Sequence, residues 1–236
     1  MDSAFGLNQR ELTALYRMAG IGTFAQLLIA MSMIVLPTMG LGPSDAQQYF
    51  ELIRDRGLGV ALLSSDLPSL IIVFPYLISF PALFIVLRKT GILWPGMALF
   101  MMVISVILCI ANDPTFSLLH LGFSTLTQSD IQSEVASGAA LLAGGFWHST
   151  GGYVAGLFMQ GAGVLICALL LKRGQLGRVM AIAGLVANGF DLMQHFLHPF
   201  LPQVVTPLLY VAGIGYLVWY PLLGWNFLKL SRQVEV

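Results

Sequence analysis

Asn188-Gly-Phe-Asp191-Leu-Met-Gln-His195-Phe-Leu-His198-Pro199 closes an apolar run that is otherwise long enough to cross a bilayer. An acid and two imidazoles are costly in hydrocarbon, so their presence there marks function by default. Asn188, Asp191, His195 and His198 are spaced 3, 4 and 3 residues apart, which on a helix sets them in one stripe. Whether the run crosses a membrane, and what the stripe faces, is decided by the rest of the chain.

Composition points to lipid as the solvent. The chain has 236 residues, 57% hydrophobic and only 9% charged, whereas soluble domains carry about 25% charged residues. A chain this poor in charge cannot cover a water-facing surface. No basic run or basic helix face is present, which excludes nucleic acid as a partner and leaves membrane lipids. Cys109 and Cys167 each sit in an apolar segment and are expected as buried free thiols at different depths. The first apolar run starts near Met18, exceeds a signal-peptide core in length and lacks an Ala-x-Ala exit, so it reads as a retained span.

Six spans are expected, at about 18–41, 58–87, 92–111, 138–171, 179–198 and 204–228. They make an all-α bundle of long, kinked helices in one domain. Ser44 and Gln47 form a capping-box pattern that starts a short amphipathic helix to Arg56, expected on the membrane surface. Pro68, Pro75 and Pro81 should bend the second span, because each lacks a backbone donor. Residues 115–128 read as a continuation of span 3 or a surface helix. Ser129 and Gln132 form a second capping-box pattern. The helix it opens, 133–171, would be roughly 58 Å long, twice a hydrocarbon core. It must project outside or break near Gly144-Gly145 or Gly151-Gly152. A seventh span within 112–146 is the alternative count.

Basic residues then fix orientation. Six spans put nine of them (Arg10, Arg17, Arg88, Lys89, Lys172, Arg173, Arg178, Lys229, Arg232) on one side and only Arg54 and Arg56 on the other. Positively charged loops stay cytoplasmic, so both termini are placed inside, in an inner or plasma membrane. Trp219 and Trp225 fit an inner interfacial belt, and Trp147 an outer one.

Helical rise converts sequence position into depth. Asp191 comes out roughly 20 Å from the cytoplasmic side, and His195 and His198 roughly 26 and 30 Å. Asp66 and His148 fall at roughly 33 and 36 Å on other spans. The ionisable groups therefore cluster in the outer half. Asp191 and His195 are the expected acid/base pair, with Asp66 opposite them as a third catalytic group. His148, Asn188 and His198 are the expected substrate-binding groups, and His148, His195 and His198 the candidate metal ligands. The competing reading is that Asp191 and His195 only pin two helices together. His120 and His198 also read as interfacial, Asp113 before Pro114 as a helix end, and Asp130 and Glu134 as a cap and a solvated helix start. Gly152 and Gly156 form a small-xxx-small pair that permits close helix approach.

The layout resembles a prokaryotic membrane family known as domain of unknown function 4386. The shared features are Tyr16-Arg17-Met18-Ala19-Gly20-Ile21, a segment with Asp45 after span 1, a long span 2 ending in basic residues, and Gly-Arg-x-x-Ala-x-Ala-Gly from Gly177 to Gly184. That resemblance implies a polytopic membrane fold and no particular activity. Zinc hydrolases of the ceramidase and adiponectin-receptor type offer a weaker likeness. They have seven spans and a His-x-x-x-His spacing that His195-x-x-His198 does not match. Membrane-integral terpene cyclases, with acidic groups inside a small bundle, are a looser one.

Three functions are compatible with these features. The first is a membrane-embedded enzyme using acid/base or metal-assisted chemistry on a lipid or isoprenoid-like substrate. The second is a proton-linked carrier, disfavoured by the lack of an inverted repeat. The third is an accessory or structural subunit. No cofactor is required by the sequence, with zinc and haem as the open choices. Homo-oligomerisation and membership of a larger membrane complex are likewise open.

Overall fold

The computed structural model describes residues 7–38, 46–57, 59–60, 67–89, 91–125, 131–143 and 149–235. Among them there are helices and connecting turns and no strands. The helices are α1 (Gln9–Thr38), α2 (Ala46–Arg56), α3 (Leu67–Ile71), α4 (Tyr76–Arg88), α5 (Leu93–Asn112), α6 (Thr115–Thr125), α7 (Ile131–Ala143), α8 (Thr150–Arg173), α9 (Arg178–Leu197) and α10 (Val205–Glu235). Among the described residues five stretches are long and apolar enough to cross a membrane: Gln9–Met33, Leu67–Arg88, Leu93–Leu118, Thr150–Arg173 and Pro202–Val234. At 20 residues α9 is also long enough, but Asn188, Asp191, Gln194 and His195 make it less apolar than these five.

Local chemistry sets several helix ends. Asn8 and Glu11 form a reciprocal capping box: the Glu11 N–H donates to Asn8 Oδ1 at 3.0 Å, and the Asn8 N–H to Glu11 Oε2 at 2.7 Å. This is why α1 begins at Gln9 rather than near Met18. Pro75 separates α3 from α4 across a turn at 72–75, so the expected proline bend is a break between two helices. Pro81 is carried inside α4. Asp113 Oδ1 accepts from the Thr115 N–H at 2.8 Å and starts α6 as a separate helix. Ser149 Oγ accepts from the Gly152 N–H at 2.9 Å at the start of α8. The long apolar stretch beginning near residue 131 is thus two helices, α7 and α8. With 11 and 13 residues, α6 and α7 are each too short to cross. Ser44, Ser129, Asp45, Asp130 and Trp147 lie outside the described residues.

Contacts resolve the chain into two compact units, residues 1–27, 74–106 and 155–236 in the first and 28–73 and 107–154 in the second. The second contains α2, α6 and α7. Tyr49, Phe50 and Ile53 of α2 pack with Ala46 and Leu118, against Leu52, Leu121, Val135 and Leu141. Gly138 leaves room for the Phe50 ring. The apolar face of α2, expected to lie on a membrane surface, is instead covered by protein. Two short helices from 115–143 supply that cover.

In the first unit α8, α9 and α10 run antiparallel to their neighbours in a fixed register. Gly156, Gly163 and Cys167 of α8 meet His195, Asn188 and Gly184 of α9. Ala187 of α9 lies against the backbone of Gly215 on α10, and Gly184 against Trp219. Gly20 of α1 and Gly224 of α10 each approach the other's carbonyl oxygen. Lipid tails are as apolar as leucine, so such helices associate through close packing of small residues and through polar contacts. Trp219 is 1% exposed, so it is a core residue here and not part of an interfacial belt, whereas Trp225 is exposed. Met102 fills core, Met97 is exposed, and both cysteines are free and buried.

Candidate functional site

The site is built on α9 and completed by α8 and α10, all within the first unit. Asp191 and His195 are one helical turn apart and both buried. His195 Nδ1 lies 2.9 Å from the Asp191 backbone oxygen and 3.2 Å from its Oδ1. Two oxygens on one ring nitrogen require a hydrogen on Nδ1, so Nδ1 is the donor and Nε2 is the nitrogen whose protonation varies. The Nε2–Cδ2 edge seats against Gly156, where no Cβ would fit.

The other carboxylate oxygen is held from a different helix. The Tyr216 hydroxyl of α10 lies 2.9 Å from Asp191 Oδ2 and 2.8 Å from Oε1 of Gln160 on α8. A hydroxyl has one hydrogen to donate. With Asp191 ionised, Tyr216 donates to it and the Gln160 amide turns its NH₂ toward the tyrosine oxygen. With Asp191 protonated, the carboxyl donates to Tyr216, which donates to Gln160. Gln160 serves both arrangements because its two ends are of equal shape. Below this cluster the Tyr220 hydroxyl shares a 2.7 Å hydrogen bond with Tyr76 of α4, and its ring stacks on Tyr216 at 5.2 Å.

The stripe expected from the sequence divides between two neighbours. Asn188 and His195, seven residues apart, face α8, while Asp191 reaches α10. Asn188 donates through Nδ2 to the Gly184 carbonyl at 2.8 Å and presses on Gly163. One of its amide hydrogens is thus used within its own helix, and its side chain packs against α8. His198 is the half-buried C-cap of α9 and is joined to Asp191 by no hydrogen bond. His120 is exposed. Asp66 and His148 lie outside the described residues. Among the described residues no group of three or more His, Cys, Asp or Glu is placed to hold a metal ion.

Gln160 and Tyr216 were not singled out by sequence reasoning. Their signal was weak but present: Gln160 interrupts the apolar α8 run, and Tyr216 and Tyr220 repeat one turn apart in α10. No protein-family model, curated protein or solved structure matches the chain. The likeness to the family of unknown function accordingly rests on the residues quoted for it.

Proposed function

We propose that the chain is a six-span integral membrane protein of an inner or plasma membrane, with both termini cytoplasmic, and that it performs acid/base chemistry on a lipid or isoprenoid-like substrate at Asp191 and His195. The observation that carries this reading is the convergence of three helices on one carboxyl. His195 engages one oxygen of Asp191, and Tyr216 the other, with Gln160 behind it. Groups that hold a carboxyl from both sides fix its orientation and give it two proton partners, which supports a role in proton transfer.

The ends of the first unit support the orientation. Arg173 donates to the Leu87 carbonyl at 2.9 Å, which brings the basic ends of α4 and α8 together. Gln9 bonds the Val234 carbonyl, which brings the start of α1 to the end of α10. With α8, α9 and α10 antiparallel, the basic termini of all these helices gather at one end. Fully buried Phe80, Leu83 and Leu87 fill α4 between Tyr76 and Arg88. That packing favours a site closed toward the basic end over a carrier with a through path.

A second reading, an accessory subunit whose polar groups only fix packing, is favoured by the glycine seats of His195 and Asn188. One comparison separates the two. Cells producing the native chain or Asp191→Asn at equal membrane levels are compared by untargeted lipid mass spectrometry, and both proteins are melted in detergent. The enzymatic reading expects a lipid species altered by the native chain and not by the variant, with melting unchanged or raised, because buried functional groups are commonly held at a cost in stability. Identical lipid profiles with a lowered melting temperature would leave only the packing role.

A further inference from the structure

Resting on the acid/base reading above, the charge inventory limits the substrate head group. The sequence holds 11 Lys and Arg, and none falls within 18–53, 57–87, 90–171 or 179–228. Within the first unit every Lys and Arg therefore lies at the helix ends gathered away from Asp191. His195, when protonated, is already committed to the Asp191 carboxylate.

A second, independent observation lies one turn outward. Gln194 is 2% exposed, and its Oε1 has no hydrogen-bond partner. It follows Ala187 by seven residues and Asp191 by three, so helical geometry puts it on the face that Ala187 lays against Gly215 and from which Asp191 reaches Tyr216. The α9–α10 seam thus offers two acceptors in succession, the Asp191 carboxyl and the Gln194 amide oxygen. A buried acceptor without a donor is unfavourable, and a bound donor relieves it. Further in, the Trp219 indole N–H is also unpartnered, but it is tucked beside the Cys167 thiol at Gly184.

We propose that the site takes an amphiphile whose head group is a hydrogen-bond donor without negative charge, a long-chain alcohol or protonated amine, held between Asp191 and Gln194. A phosphate, diphosphate or carboxylate head would meet a carboxyl and an amide oxygen with no Lys or Arg of the first unit beside them, in a medium where such repulsion is strong.

The test uses the full chain in phosphatidylcholine nanodiscs with four probes of one chain length: dodecanol, dodecylamine, dodecanoate and dodecyl phosphate. Binding is read by equilibrium partition against empty nanodiscs and by the melting shift. The alcohol and the amine are expected to bind saturably and raise the melting temperature. Gln194→Leu, which keeps the Asp191–His195–Tyr216 contacts, is expected to weaken both about tenfold, the effect of one lost hydrogen bond. Asp191→Asn is expected to weaken the amine more than the alcohol. Binding of either anion as tight as the alcohol, or an unchanged Gln194→Leu, overturns the assignment. Should the anions bind while the lipid profiles of native and Asp191→Asn cells still differ, the head-group class alone fails. Should the profiles coincide, the acid/base reading fails with it.

Discussion

Tyr216 is the residue whose hydroxyl joins three helices in one hydrogen-bond network. Its hydroxyl lies within 2.9 Å of Asp191 Oδ2 and 2.8 Å of Gln160 Oε1, so removing it leaves both oxygens facing apolar surroundings. Tyr216→Phe is therefore expected to cost about 1 kcal/mol, between the small average for a hydrogen bond inside a membrane and the full penalty of an orphaned buried group. Thermal melting in detergent measures it, and a variant as stable as the native chain would remove Tyr216 from the network. Asp191 and His195 were legible from sequence because charge in an apolar run has few innocent explanations. Tyr216 and Gln160 were not, because tyrosine and glutamine are tolerated in spans and no spacing rule links residues 56 positions apart. Asn188 shows what spacing leaves undetermined. It shares the stripe of Asp191 by spacing, yet it bonds the Gly184 carbonyl of its own helix. An i−4 backbone bond is available to any short polar side chain in a helix, and periodicity cannot tell it from a ligand.

At the scale of elements, the α8–α9 pair carries a testable contrast between two glycines of one helix pair. Gly163 leaves no room for a Cβ beside Asn188, whereas a Cβ at Gly189 meets nothing within 4 Å. Gly163→Ala is expected to destabilise by about 1–3 kcal/mol through overpacking. Gly189→Ala is expected to stabilise by about 0.5–1 kcal/mol through helix propensity. Melting of the two single variants checks both signs, and equal shifts would contradict the register. Hydrophobic periodicity located α5 and α9 to within a residue or two of the expected spans. Helix α1 extends ahead of the apolar stretch at Met18 because the Asn8–Glu11 capping box lies in a polar stretch that hydropathy discounts. Periodicity placed α2 against lipid. An amphipathic helix reveals that one face must be covered, but not whether lipid or α6 and α7 cover it.

For the whole molecule, topology is the open quantity. Single cysteines introduced in a chain lacking Cys109 and Cys167 report it by their reaction with a membrane-impermeant maleimide in intact cells. Cysteines beside Arg178 and Arg232 are expected to stay unlabelled until the cells are lysed, while one beside Arg54 is expected to label at once; the reverse pattern would invert the orientation. The register of α8 on α9 has a mechanical consequence as well. Gly156, Gly163 and Cys167 engage His195, Asn188 and Gly184 at matched intervals, so a slide by one residue would break all three seats together. Sliding along this seam is therefore opposed at three places at once. The backbone contact of Gly215 with Ala187 sets α10 against the middle of α9. The α9–α10 seam is thereby pinned at two backbone-close points, Gly215 on Ala187 and Trp219 on Gly184, so α9 is held in register from both sides.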